Sequence, residues 1–439
     1  MKTVTAITSK SYVHRLLIAA ALCDEKVTVV TNIVSDDMRA TISALESLGA
    51  KIDTIPVDDD SFELAVKHPA TSVKDGCDDA MINCGESGST ARFILPLAAY
   101  VARSATLTGR GRLPERPMGP LCDVLRNAGA TIDADNLPIT VTGGLRPGEY
   151  EIPGNVSSQY ITGLLFVLPL LEGDSQLTIK GELESAAYVD MTIDVLEKFG
   201  IRMIKENSGY MIPGGQKYSL VSGASGDAGI IAEGDWSNAA YTIAPFILDK
   251  KSADEGIRIS GLNPVSIQGD RAIIGILGEF GIDARFDEAT SEHVVCGYPV
   301  KAVDVDCAQI PDLVPVLAVI AAFTDGDSMF RNIERLRMKE CDRIDAVSKT
   351  LEVIGIKTSI TKTEDGHENM TVHGSGAAGV AADPVFSSFN DHRMAMAEYA
   401  IASAIDRKTT ITGSGAVNKS YPGFFEFMEK MGMKKCHLQ

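Results

Sequence analysis

Residues 192–203 read TIDVLEKFGIRM, and this short stretch carries the fold. Val195, Leu196 and Phe199 recur at helical spacing, Gly200 follows, and an alternating segment resumes after it. Glycine suits the position just past a helix, because that place often takes a left-handed backbone that side-chain-bearing residues resist. The same phrase occurs five more times: ISALESLGAKI at 42–52, LCDVLRNAGATI at 121–132, IIGILGEFGIDA at 273–284, VSKTLEVIGIKT at 347–358 and FFEFMEKMGMKK at 424–435. The glycines are Gly49, Gly129, Gly200, Gly281, Gly355 and Gly432, at intervals of 80, 71, 81, 74 and 77 residues. Such a period marks one supersecondary unit used repeatedly.

A second helix recurs in register with the first. Helix-like runs begin near Ser9, Gly88, Ser157, Trp236, Pro311 and Asp391. Each leads into a strand-like segment: VTVVTNI, ATLTGRG, QLTIKGE, IRISGLN, SMFRNIE and TTITGSG. Short alternations such as EHVVC and NMTVH predict further hairpin strands before the next helix. Each unit thus reads helix, strand, helix, strand and hairpin. Six units sharing 439 residues are too small to stand alone, so two groups of three are the expected assembly of an α/β chain made of α+β repeats.

Composition limits the function classes. Apolar residues make up 45% and charged residues 23%, a globular balance. The net charge of −18 argues against a general nucleic-acid or anionic-membrane binder. Any anionic ligand must therefore meet a local cluster of cations. The eight cysteines form no CxxC pair, which speaks against a zinc knuckle or a redox motif. They read as reduced, mostly buried thiols of a cytosolic protein. Residues 1–10 do not read as a signal peptide, and the longest apolar stretches, 161–171 and 313–323, fall short of the roughly 20 residues needed to cross a bilayer. The seven histidines are scattered, and no metal or organic cofactor is expected.

The informative residues cluster where the first helix of each unit starts, where unpaired N–H groups and the positive dipole end favour an anion. Ser9-Lys10-Ser11 opens the first, with Ser11 and Arg15 on one face. Gly85-Glu86-Ser87-Gly88-Ser89 turns into the second, and Arg92 follows as a candidate bidentate clamp. The glycine spacing is not that of a P-loop. Residues 109–117 hold three arginines, Arg110, Arg112 and Arg116. Ser157, Ser158 and Gln159 precede a nearly apolar helix as neutral hydrogen-bonders suited to a sugar-like ligand. Asp312 follows Pro311 as a dipole-serving carboxylate or a shielded base. Lys339 and Arg343 are like-charged at i, i+4, an unfavourable pair unless an anion lies between them. Each of these features also has a plain reading as a cap or a solvated face.

Taken in order, SKS with Arg15, GESGSTAR, ERPMG, SSQY, EGDWS, IPD, RMKECDRI, FNDHRMAMA and NKSYPGFF resemble the 5-enolpyruvylshikimate-3-phosphate synthase family over essentially the whole length. The resemblance implies an inside-out α/β barrel in two pseudo-threefold domains, each of three βαβαββ units, joined by a hinge. The first domain would hold residues 1–8 and 234–439, the second 9–233, with the active site in the cleft. It also implies transfer of the enolpyruvyl group of phosphoenolpyruvate to the 5-hydroxyl of shikimate 3-phosphate by a monomeric cytoplasmic enzyme. Carried over by position, Lys10, Ser11, Arg15, Ser157, Ser158, Gln159, Ser185, Tyr188, Asp312 and Lys339 are the implied shikimate 3-phosphate set. Lys10, Gly88, Arg116, Gln159, Arg343, Arg393 and Lys419 are the implied phosphoenolpyruvate set. Asp312, Glu340, Lys10 and Lys419 are the implied catalytic groups.

Some positions depart from the commoner family pattern. Thr8 stands for a glycine, Glu86-Ser87 for Asn-Ala, Ala186-Ala187 for Lys-Pro, and Arg335 for an asparagine. Two rival readings share the fold. A transferase acting on UDP-N-acetylglucosamine usually has Lys-Asn where Lys10-Ser11 stands, and a cysteine in the loop matching residues 109–120, which has none. A non-catalytic phosphate-binding relative would need neither Asp312 nor Glu340.

Overall fold

The computed structural model of the chain describes residues 1–58, 61–67, 79–226, 229–375, 380 and 383–439. All six repeat glycines take positive φ, between 71° and 108°. Each closes its helix in the same way. The amide of Gly49 donates to Glu46 O (2.9 Å) and that of Ala50 to Leu45 O (3.0 Å), and the same pair of bonds recurs at Gly129, Gly200, Gly281, Gly355 and Gly432. This is the Schellman closure, whose partner is an apolar contact across the turn. Leu45 and Ala50 supply it in the first copy, Leu196 and Ile201 in the third, and all four are buried. The periodic glycine is thus a backbone requirement met six times.

The chain divides into two compact units, Met1–Ile7 with Glu233–Gln439, and Thr8–Ala232. Both crossings fall one residue earlier than the sequence suggests. In Thr8–Ala232 the helices are α1 (Lys10–Ala21), α2 (Asp36–Ser47), α3 (Gly88–Val101), α4 (Gly119–Asn127), α5 (Ser158–Val167) and α6 (Ala186–Lys198). The other unit holds α7 (Trp236–Leu248), α8 (Lys250–Glu255), α9 (Ile273–Glu279), α10 (Val314–Ala322), α11 (Arg343–Val353), α12 (His392–Ala404) and α13 (Phe424–Lys430). Side-chain caps start most of the first helices of the repeats: Ser9, Ser87, Ser157, Asp235 and Asp391 each accept from an amide two or three residues on. The fifth departs from expectation. Pro311–Leu313 form a 3-10 turn with no side-chain cap, and the α-helix begins only at Val314.

Among the described residues the strands form six separate sheets, five of four strands and one of three. In the sheet of the second repeat, Ala80–Asn83 pairs parallel with Ser104–Thr108, which pairs antiparallel with Ile139–Thr142 and then Thr131–Ile132. The first and fourth repeats borrow their opening strand from across a crossing. Ile230–Ile231 lies parallel to Val27–Thr31, and Lys2–Thr5 lies parallel to Ile257–Ser260. In the sixth repeat His437–Leu438 pairs parallel with Thr410–Thr412.

The first helices are the core. Every residue of α10 is buried, as is nearly all of α7 and α12, and the three helices touch one another. A helix apolar all round has no solvent face to offer, which is what VPVLAVIAA requires. Alanines 239, 240, 244, 318, 395, 397 and 400 keep the contacting faces small. In Thr8–Ala232, α3 and α5 pack closely enough that a Cβ at Gly163 would lie 2.4 Å from Arg92 O. The cysteines follow the expected burial: Cys23, Cys84, Cys122, Cys307, Cys341 and Cys436 are buried free thiols and Cys296 is partly exposed, while Cys77 lies outside the described residues.

Candidate active site

In the Thr8–Ala232 unit, α1, α3 and α5 carry no acidic residue in their first turn, so their positive ends are not neutralised locally. Lys10 is the first residue of α1, and its ammonium pairs with Asp37 of α2 at 2.7 Å. Ser11 follows it, partly exposed. Arg15 lies a turn further on and is buried, 2% exposed. Its Nε donates to Thr192 Oγ1 (2.9 Å), Nη1 to Ser11 O (2.7 Å) and Nη2 to Tyr188 O (2.8 Å). Burial pushes this guanidinium down to about 10. Arg15 thus ties α1 to α6 and fixes the main chain at Ser11 and Tyr188, two expected substrate residues.

The Gly88 turn shows why glycine is needed there. A Cβ would stand 2.5 Å from Arg116 Nη1 and 2.7 Å from Arg92 Nη1. The two guanidinium groups therefore occupy the space beside the start of α3. Arg92 Nη1 donates to Gln159 Oε1 (2.8 Å), and Gln159 Nε2 donates to Ser89 Oγ (2.9 Å). Arg92 also donates to Pro117 O (3.2 Å), where the Tyr160 hydroxyl donates as well (2.5 Å). Arg116 follows the 3-10 turn Leu113–Glu115 and is 7% exposed. Ser157 caps α5, and Ser158 is buried beside it. Ser185 precedes α6 in a left-handed conformation, φ 53°, a strained position for serine that recurs at functional sites. Lys10, Gly88, Arg116, Ser157, Ser158 and Gln159 therefore all stand at the starts of central helices or in the arginine loop beside them.

The other unit places carboxylates at the corresponding helix starts. Asp312 accepts from Lys339 Nζ (3.3 Å) and Arg343 Nη1 (2.7 Å) on Oδ1, and pairs with Arg393 Nη2 (3.3 Å) through Oδ2. Its main-chain oxygen accepts from the Tyr241 hydroxyl (2.9 Å) and Arg393 Nη1 (3.3 Å). Burial alone would raise Asp312, but Arg393, Lys339 and Arg343 together hold it well below the usual carboxylate range. Burial pushes Lys339 down to about 8, against the pull of Asp312 and with help from Arg343 and Arg335. Arg343 is enclosed by three carboxylates. Besides Asp312 it donates to Glu340 Oε2 (2.8 Å) through Nη2 and to Asp391 Oδ2 (2.8 Å) through Nε. Desolvation opposes its charge, yet Asp391, Glu340 and Asp312 outweigh it and raise it well above the ordinary value. Lys419 donates to Asn390 O (2.5 Å), in a bend where Phe389 and Asn390 are both left-handed, φ 51° and 55°. Arg335 is buried in the 3-10 turn Glu334–Met338.

Sequence reading did not give a role to three acids of these clusters. Asp37 holds Lys10, and Asp391 caps α12 while pairing with Arg343. Asp270 is buried and accepts from the Ser237 hydroxyl; burial and the charge of Asp312 raise it to about 7. A helix-start position was the one local signal for Asp37 and Asp391, and nothing local distinguishes Asp270. Among the described residues no group of three or more His, Cys, Asp or Glu could hold a metal ion, and no helix is long and apolar enough to cross a membrane.

Residues 1–428 match the family model described as EPSP synthase (3-phosphoshikimate 1-carboxyvinyltransferase). A 3-phosphoshikimate 1-carboxyvinyltransferase of Clostridium novyi is 38% identical over 434 residues, covering 97% of this chain and 93% of the relative. Its counterpart in Methanococcoides burtonii is 36% identical over 435 residues, covering 97% and 94%. Among solved structures, EPSP synthase from Acinetobacter baumannii aligns with a TM-score of 0.71 at 23% identity, over 98% of this chain and 95% of that one. The enolpyruvyl transferase NikO from Streptomyces tendae aligns with a TM-score of 0.73 at 16% identity, over 99% and 95%. Those two likenesses speak for the fold. The full-length match and the two sequence relatives go further, and the chain belongs to the EPSP synthase family.

Proposed function

We propose that this protein transfers the enolpyruvyl group of phosphoenolpyruvate to the 5-hydroxyl of shikimate 3-phosphate and releases phosphate. Family membership supports the reaction class. The observation that carries the reading is Asp312: an ionised carboxylate among Lys339, Arg343 and Arg393 at the start of a buried helix. A phosphate-binding protein has a use for those cations but none for a carboxylate among them. An enzyme that must move a proton beside two anionic substrates has a use for both.

In the addition step the hydroxyl oxygen bonds to C2 of phosphoenolpyruvate while its proton leaves, and C3 gains a proton. In the elimination step the bond from C2 to the phosphate oxygen breaks, C3 loses a proton, and the double bond re-forms. Asp312 and Glu340 are the carboxylates assigned to this traffic, with Lys10 and Lys419 as cationic partners or acids. Lys10, Ser11, Arg15, Ser157, Ser158, Gln159, Ser185, Tyr188, Asp312 and Lys339 are assigned to shikimate 3-phosphate. Lys10, Gly88, Arg116, Gln159, Arg343, Arg393 and Lys419 are assigned to phosphoenolpyruvate, with Arg15 and Arg343 acting from buried positions. When the substrate's negative charge takes up Arg343 and Arg393, their hold on Asp312 weakens and its basicity rises towards what proton transfer needs. The protein is proposed to act as a cytoplasmic monomer.

Phosphate release from phosphoenolpyruvate tests the reading in three arms: with shikimate 3-phosphate, with UDP-N-acetylglucosamine, and with neither. Release in the first arm alone is expected. Release with the nucleotide sugar would favour the sister transferase, and release in no arm would favour a binding protein.

A further inference from the structure

Four side chains on α1, α2 and at the start of α3 form one buried chain of hydrogen bonds. His14 Nδ1 meets Thr41 Oγ1 at 2.6 Å, Thr41 Oγ1 meets Thr90 Oγ1 at 2.7 Å, and Thr90 Oγ1 donates to Ser87 Oγ at 2.7 Å. Ser87 Oγ also accepts from the Thr90 amide (3.2 Å), the cap of α3. None of the four is more than 0% exposed.

The polarity of this chain follows from proton counting. A hydroxyl has one hydrogen to donate. Thr90 uses its own on Ser87, so Thr41 must donate to Thr90, and His14 must donate to Thr41. His14 is therefore the Nδ1–H tautomer, with Nε2 a bare lone pair. Nε2 has no hydrogen-bond partner, and the His14 and Phe93 rings meet at 84° with their centroids 6.5 Å apart. Burial, with Lys10 and Arg15 adding to it, holds His14 well below its ordinary value and keeps it neutral.

The chain joins two places that matter. His14 is one turn past Lys10 on α1, and Ser87 adjoins Gly88, against which Arg116 and Arg92 pack. We propose that His14, Thr41, Thr90 and Ser87 are positioning residues that hold the start of α3 in register with the Lys10 turn of α1, and so pre-form the phosphoenolpyruvate half-site. The proposal rests on the function proposed above. Thr41 lies on α2 one turn past Asp37, the partner of Lys10, and its own hydroxyl reaches the start of α3 through Thr90. Removing its hydroxyl leaves Thr90 and His14 with buried polar atoms unmatched and loosens the α3 cap.

Thr41→Val keeps the shape and deletes the hydroxyl, whereas Thr41→Ser keeps the hydroxyl. The expected result is a rise of about tenfold in KM for phosphoenolpyruvate in Thr41→Val, a far smaller change in KM for shikimate 3-phosphate, and recovery of most of the loss in Thr41→Ser. A simple loss of stability would shift neither KM selectively and would show no rescue. Nitrogen-15 spectra of the wild-type protein should show His14 protonated on Nδ1, a readout that stands even if Thr41→Val does not fold. Equal effects on both KM values, a serine variant no better than valine, or a His14 protonated on Nε2 would overturn the proposal. A wild-type protein with no turnover of the two substrates would instead refute the proposed function.

Discussion

Arg343 and Asp391 are joined at two points, Nε to Oδ2 at 2.8 Å and Nη2 to Oδ1 at 3.3 Å, with exposures of 1% and 0%. The pair links the first residue of α11 to the cap of α12, so one ion pair fixes the starts of two helices in different repeats. Both ions have left water, and the attraction stands against a large desolvation penalty that only good geometry offsets.

Breaking the pair from one side should therefore be severe. Arg343→Met leaves Asp391 as a buried charge, and urea unfolding should show a loss of about 3–5 kcal/mol. Asp391→Asn added to that variant removes the fully buried one of the three carboxylates that Arg343 holds and should return part of the loss. If the double variant is as unstable as the sum of the two single variants, the pair is not coupled as the geometry requires.

Asp312→Ala separates catalysis from binding. Loss of a positioned proton-transfer group should lower kcat by about 10²–10⁴-fold, while the KM values change far less. Steady-state kinetics with both substrates varied will show it. A variant with wild-type turnover would remove Asp312 from the catalytic groups.

How much of this was legible in the sequence depends on how local each requirement is. The six glycines were readable because a Schellman turn asks for a left-handed backbone at one residue, whatever lies around it. The crowding of Lys339, Glu340 and Arg343 was readable because those residues are neighbours in the chain. Arg393 is not, and its meeting with Asp312 exists only through the packing of α10 on α12. Asp270 was silent for the same reason, since its partner Ser237 lies 33 positions away. Arg15 shows a subtler limit. Its spacing from Ser11 marked a shared face correctly, but spacing cannot tell a solvent-facing cation from one buried against Phe93 and Tyr188.

Lys339 gives the free protein a pH limb. Its ammonium, lowered to about 8 by burial, loses its charge as pH rises through that value. With it goes a counter-charge for the phosphorylated substrate, so kcat/KM for shikimate 3-phosphate should fall above about pH 8. A bound dianion favours the ammonium, so the same limb in kcat should lie higher. Lys339→Arg stays charged throughout and should move the kcat/KM limb upward. An unmoved limb in that variant would assign it to another group.

Asp270 predicts a stability effect of opposite sign to most carboxylates. Its folded-state value of about 7 lies above the ordinary value near 4, because burial and the charge of Asp312 disfavour its ionised form. Between those two values the folded state binds the proton that the unfolded chain has released. The stabilising contribution is complete below about pH 4 and is lost as pH rises to about 7. Asp270→Asn keeps an oxygen for the Ser237 hydroxyl and removes the titration. Relative to wild type, the variant should gain stability as pH rises from 4 to 8, by up to roughly 1.4 kcal/mol for each pH unit between the two values. Urea midpoints for both proteins at pH 5 and pH 8 measure this directly, and a difference between them that does not grow with pH would show that Asp270 is ionised in the folded protein.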